Sequence, residues 1–178
     1  ARIGAVAGLH DVTELKQNAL RLEQLAYSDR LTGLPNQRKF LEGLRAALQE
    51  AAGKPQPATL MLLDLDDFKR INVSFGREFG DRLIVEIAAR LKRDAGAGAL
   101  VARLGDDEFG IVVDPASQES AVGLQPEAVC AGLRSQILLD GRAVVITGSV
   151  GATPLLAHLT DMEALRHADL ALNEAKRL

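Results

Sequence analysis

At 178 residues the chain suits one domain with a real core and room for an appendage. Its 47% hydrophobic and 25% charged residues are ordinary for a soluble globular protein, and its 3% aromatic content, with no Trp, argues against a base-stacking surface for single strands. A net charge of −3 and a pI near 5.7 exclude a basic stripe for duplex nucleic acid, yet leave room for a small nucleotide held by local Lys and backbone N–H groups.

The single Cys130 forms no internal disulfide and belongs to no zinc-ligand spacing. It reads as a small buried residue on a helix, and a reducing, cytoplasmic setting fits. No apolar run reaches the length of a membrane span.

Arg2 to Leu9 reads as the tail of a strand, cut from something upstream. Thr13 to Tyr27 follows as a helix, with Leu15, Leu22 and Leu25 on a/d-like spacing. A linker helix lying on the domain and a dimerising stalk both fit it. Ser28 to Asn36 is turn-rich, and Asn36 is placed to cap a helix from Gln37 to about Ala52, with Phe40, Leu41, Leu44 and Leu48 inward. Thr59 to Leu65 is a nearly continuous apolar run and so predicts a central, buried strand. A short helix is expected over Asp66–Asn72 and a longer one over Glu78–Arg93.

Two strands, Leu100–Leu104 and Phe109–Val113, then flank Gly105-Asp106, a tight-hairpin signal in which Gly supplies a positive φ. A loop (Pro115–Leu124), a helix (Pro126–Leu138), an Asp140-Gly141 turn and a strand (Ala143 to about Ala152) come next. A helix over Asp161–Arg177 ends the chain, with Met162, Leu165, Ala168, Leu172 and Ala175 inward. Strand pairs without strict β-α alternation predict an α+β fold, with helices packed on a mostly antiparallel sheet.

Acid collects in three places. Asp64-Leu65-Asp66-Asp67-Phe68-Lys69 lies where the buried strand gives way to a helix. Asp66 or Asp67 serves there as a cap, but Asp64, still inside the apolar run, needs a partner, and a metal would be one. The N–H groups opening the short helix, with Lys69, suit a triphosphate. Asn72 and Gly80-Asp81 form the second place. Either they close and cap helices, or the amide and carboxylate read a guanine edge, whose ring N–H and amino groups are donors. The hairpin tip is the third: Asp107 and Glu108 are either solvated turn acids or metal ligands beside a phosphate.

Taken together, Leu31-Thr32-Gly33-Leu34-Pro35-Asn36, Asp64 to Asn72, Phe75-Gly76, Gly80-Asp81 and Arg103-Leu104-Gly105-Asp106-Asp107-Glu108-Phe109 resemble the GGDEF family in sequence and order. The likeness continues through Thr147-Gly148-Ser149-Val150-Gly151 and Ala168 to Leu172, as far as Lys176. Members are diguanylate cyclases, which join two GTP molecules into cyclic di-GMP. The resemblance implies a fold related to the palms of polymerases and nucleotidyl cyclases.

It further implies Mg²⁺ (or Mn²⁺) on Asp64, Asp107 and the Leu65 carbonyl, with Asn72 and Asp81 on guanine. Asp67, Phe68, Lys69 and Lys176 would hold the phosphates, and Gly105, Asp106, Asp107 and Glu108 form the catalytic signature. A homodimer is implied for activity, each protomer bringing one GTP. The domain boundaries expected are 1–12 for the tail of an upstream domain similar to PAS, 13–28 for a linker helix and 29–178 for the GGDEF domain. An EAL phosphodiesterase domain downstream is a common arrangement in the family.

This sequence departs from the family pattern at Asp106, where the second Gly is usual. Like charges at ~4 Å and an effective dielectric near 20 repel by about 4 kcal/mol, so an Asp beside a triphosphate opposes it unless compensated. Val73, Arg77 and Gln37 replace the usual Asp, His and Arg, and Gly96-Ala97-Gly98-Ala99 stands where the inhibitory Arg-x-x-Asp would be. The chain stops at Leu178, ahead of the usual Gly-Arg-Asn. Three readings follow: a GTP-binding domain with weak or no cyclase activity that regulates an attached domain, an active cyclase, and a dimerisation scaffold.

Overall fold

A computed structural model describes residues 26–115 and 125–177. In chain order the elements are α1 (Gln37–Ala51), β1 (Thr59–Leu65), α2 (Phe68–Phe75), α3 (Arg77–Ala95), β2 (Leu100–Arg103), β3 (Glu108–Val113), α4 (Pro126–Leu133), β4 (Ile137–Leu139), β5 (Arg142–Val144), β6 (Gly148–Pro154) and α5 (Asp161–Ala175). The expected upstream strand tail, nearly all of the linker helix and the loop after Pro115 lie outside the described residues.

Four strands form one sheet in the order β2-β3-β1-β6, every neighbouring pair antiparallel. The fold is therefore the expected α+β arrangement. β1 sits centrally with both faces covered, which is why its sequence runs apolar instead of alternating. Met61, Leu63 and Leu65 enter a core with Leu83, Ile84 and Ile87 of α3. Leu60 joins the opposite core with Phe40 and Leu44 of α1 and Ala164 and Ala168 of α5, and Leu62 packs at its edge. The period-2 rule of a strand puts Asp64 on this second face, toward α5.

Local chemistry sets the helix ends. Asn36 caps α1, its side chain accepting from the Lys39 N–H at 3.1 Å. Thr160 and Glu163 form a reciprocal capping box at the start of α5. Gly151 of β6 lies so close against α5 that a Cβ there would run into the Ala168 carbonyl and the Leu172 backbone.

Several expectations are corrected. The helix opening at Pro126 stops at Leu133, because Ile137-Leu138-Leu139 instead pairs with Arg142–Val144 as a separate ribbon. Asp140 and Gly141 both take positive φ (51° and 73°), the geometry of a primed hairpin turn. The last strand is accordingly two strands, β5 and β6. The short helix starts later and runs to Phe75, beyond Asn72, and the next begins at Arg77. Met162 is 73% exposed, since the inward stripe of α5 is Ala164, Ala168 and Leu172 at i+4 spacing. Cys130 is half-buried rather than buried.

Candidate active site

Asp64 lies at the end of β1, paired in register with Glu108 of β3 and Ser149 of β6. Its partner is Lys176, at the C-terminal end of α5, with Nζ 2.8 Å from Oδ2. The Leu65 N–H donates to the Asp107 carbonyl at 3.1 Å, which stitches the hairpin to the strand end. Burial pushes the Asp107 carboxyl above the usual carboxylate range, and the charges of Asp64 and Asp106 push it further, with Lys176 working against them. Asp64, Asp107 and the Leu65 backbone thus meet at one end of the sheet. Among the described residues no group of three or more His, Cys, Asp or Glu is arranged around a metal position. Two half-buried carboxylates crowding one another nonetheless fit a hard divalent cation, which commonly takes one or two carboxylates and completes its shell with water and substrate phosphate.

The neighbouring acids have separate duties. Asp66 accepts a hydrogen bond from Ser149 Oγ at 2.9 Å and its N–H donates to the Thr147 carbonyl, so it braces β6. Asp67 precedes α2 in a left-handed conformation (φ 55°) and makes no side-chain cap; it pairs instead with Arg70. Phe68 is buried and opens α2, while Lys69 is exposed and enters no ion pair among the described residues.

Asn72 of α2 and Asp81 of α3 line one cavity of about 240 Å³, together with Phe68, Arg77, Arg103 and Asp106. Neither performs the helix-ending role that offered an alternative: α2 continues past Asn72, and Asp81 stands in the second turn of α3. The Asn72 Oδ1 is buried without a hydrogen-bond partner. Gly80 makes room for it, because a Cβ at that position would fall on this oxygen.

The hairpin loop runs from Leu104 to Asp107, and the Leu104 and Gly105 N–H groups both donate to the Glu108 carbonyl, at 2.9 and 3.3 Å. Gly105 does not take the positive φ expected of it. A Cβ there would lie 2.9 Å from Glu108 Oε2, the end of an exposed side chain that can move aside. Glu108 opens β3 with its side chain exposed, and Asp106 is exposed at the tip.

Sequence reasoning gave no role to the residues that brace this hairpin. Arg103, only 13% exposed, donates to Asp29 Oδ1 at 3.2 Å and to the Asp106 carbonyl at 2.9 Å. Its N–H also donates to the Pro35 carbonyl, and its Nε is buried without a partner. Burial would raise the Asp29 carboxyl, but hydrogen bonds from the Thr32 side chain and N–H, with the Arg103 guanidinium, outweigh it and hold Asp29 below its usual value. The signal was legible only as the turn around Asp29 and the Arg before the hairpin; their meeting is tertiary.

An antiparallel sheet with flanking helices and an acidic hairpin at its end defines the GGDEF class of fold. The chain belongs to the family described as diguanylate cyclase, GGDEF domain, whose profile matches residues 26–178. It is 32% identical over 166 residues to the probable diguanylate cyclase DgcC of Escherichia coli, covering 93% of this chain and 44% of that protein. It is 34% identical over 157 residues to the cyclic di-GMP phosphodiesterase NbdA of Pseudomonas aeruginosa, covering 87% of this chain and 20% of that one. The chain therefore spans less than half the length of these relatives. Among solved structures, diguanylate cyclase SiaD of Pseudomonas aeruginosa, in complex with its activator SiaC, superposes with a TM-score of 0.75 at 32% identity, covering 99% of this chain and 68% of that one. The chain is thus a GGDEF domain of the cyclic di-GMP signalling class. No helix among the described residues is long and apolar enough to cross a membrane.

Proposed function

We propose that this chain is a GTP-binding GGDEF domain with weak or no diguanylate cyclase activity, which regulates a domain attached to it. The observation that carries the reading is the cavity that Asn72 and Asp81 line together with Asp106. Guanine offers ring N–H and amino donors to the Asp81 carboxylate, and the Asn72 amide reads the same base. Asp106 adds a negative charge to the same space, where a nucleotide carrying several negative charges must fit.

Asp64, Asp107 and the Leu65 carbonyl would hold Mg²⁺ or Mn²⁺. That ion, when bound, supplies charge neutralisation at the α-phosphate and lowers the barrier to attack by a 3′-hydroxyl. Lys69 and Lys176, with the backbone around Asp67 and Phe68, would hold the phosphates, and Lys176 balances Asp64 meanwhile. Condensation needs a second GTP from a facing protomer, so a homodimer is the active form. An upstream PAS-like domain and a downstream EAL domain are the partners proposed in the longer protein. With Gly96-Ala97-Gly98-Ala99 before the hairpin, product feedback through an Arg-x-x-Asp site is not expected.

Calorimetry with GTP and Mg²⁺, paired with chromatographic detection of cyclic di-GMP, tests the reading. Saturable GTP binding with little product is expected. Robust product formation would establish an active cyclase instead, and absence of GTP binding would leave a dimerisation scaffold.

A further inference from the structure

The cavity that holds Asn72 and Asp81 carries four charged side chains, and they are not equally available. Arg103 is committed, its guanidinium bound to Asp29 and to the Asp106 carbonyl. Among the described residues, Asp81, Asp106 and Arg77 enter no ion pair. Arg77 is the first residue of α3 and Asp81 lies four residues on, so the two share one face of the helix. Asp106 comes to the same cavity from the hairpin. The walls thus hold two uncommitted carboxylates and one uncommitted cation. Without Arg77 a nucleotide would enter a space whose remaining cation, Arg103, is already paired with Asp29.

Charges that share a cavity of 240 Å³ act on one another and on any occupant, and less so as salt is raised.

We propose that Arg77 is a positioning residue for the nucleotide that acts through Asp106: its guanidinium offsets the Asp106 carboxylate, so that the cavity keeps GTP despite the acid at the hairpin tip. The inference rests on the GTP-binding reading given above and deepens it. It makes Arg77 and Asp106 one unit. Removing the cation harms binding when the acid is present and hardly matters when it is absent.

A double-mutant cycle on the whole 178-residue chain tests this. The GTP dissociation constant is measured with Mg²⁺ for the natural chain, Arg77→Ala, Asp106→Gly and the double variant, with thermal melts to verify folding. Both side chains are exposed, so their coupling is that of a surface ion pair, and Arg77→Ala should weaken GTP binding by about three- to fivefold when Asp106 is present. On top of Asp106→Gly the same change should cost about twofold or less. Arg77→Lys should restore most of the affinity, and 0.5 M salt should shrink the Arg77→Ala effect, neither of which a structural role would produce.

Asp106→Asn, which removes the charge and keeps the side chain, serves if the Asp106→Gly variant does not fold. Equal losses with and without the acid would overturn the proposal. So would a natural chain that fails to bind GTP while Asp106→Gly binds it, since the compensation would then not exist. If neither binds GTP, the nucleotide reading itself has failed.

Discussion

Gly80→Ala separates the stability of this domain from its binding chemistry. In an ordinary helix interior the change would stabilise by about 1 kcal/mol, because Ala has the better helix propensity. Here the new Cβ falls on Asn72 Oδ1 and approaches Phe68 Cζ at 3.3 Å. The first of these is the end of a side chain and can move, so overpacking should cost about 1–3 kcal/mol and the net destabilisation should be about 0–2 kcal/mol. What cannot be recovered is the position of the amide. Asn72 Oδ1 is buried, and displacing it shifts the amide that, on the proposed reading, contacts the guanine edge. Loss of that contact is worth about 1–3 kcal/mol, or roughly 5–150-fold in the GTP dissociation constant. Chemical denaturation gives the first quantity and calorimetry with Mg²⁺ and GTP the second. A variant that gains about 1 kcal/mol of stability and binds GTP within about twofold of the natural chain would refute both the packing and the role of Asn72.

Gly151→Ala meets backbone rather than a movable side chain, so it should destabilise by at least about 3 kcal/mol, a fall of roughly 6–12 °C in Tm by calorimetry. Thr160→Ala removes the acceptor for the Glu163 N–H and half of the capping box, costing about 1 kcal/mol in denaturant titration. Asp29→Ala leaves the nearly buried Arg103 without its carboxylate and should cost about 2 kcal/mol at pH 7. Because the Asp29 carboxyl is held below its usual value in the fold, the natural chain's advantage is full above about pH 4 and declines as pH falls through the folded value. Denaturation midpoints that keep the pH 7 gap unchanged into strong acid would count against this brace.

What could be read from the sequence was whatever a short window determines. The central strand, the α1 cap at Asn36 and the existence of the long helix α3 all follow from local pattern, and so does the α+β class. Ile137 to Val144 misleads because an apolar run beside a helix continues its pattern until the Asp140-Gly141 turn reverses it, and the pairing partner lies beyond that turn. Asp64 stands out as an acid in an apolar run, yet its partner Lys176 is far along the chain, on a helix whose end meets the same face of the sheet. Gly105 does not take the left-handed conformation that the turn rule expects, and the atom nearest a Cβ there is only the movable end of the exposed Glu108 side chain.

The same limit explains Arg103, and it bears on Asp106. An Arg preceding an acidic hairpin gives no sign of which group it serves. In the fold it reaches back to the turn at Asp29 and forward to the Asp106 carbonyl, while its N–H takes the Pro35 carbonyl. The hairpin backbone is therefore held from three directions, and none of these contacts uses the Asp106 side chain. That side chain is free of structural duty among the described residues, and Gly105 and Asp106 both lie outside the left-handed region. A carboxylate at this position is thus tolerated by the fold without strain and acts through its charge, on the neighbouring Asp107 and on what enters the cavity. Replacing it changes the electrostatics of the site while leaving the hairpin where Arg103 holds it, so affinity measured across Asp106 variants reports charge rather than a rearranged loop.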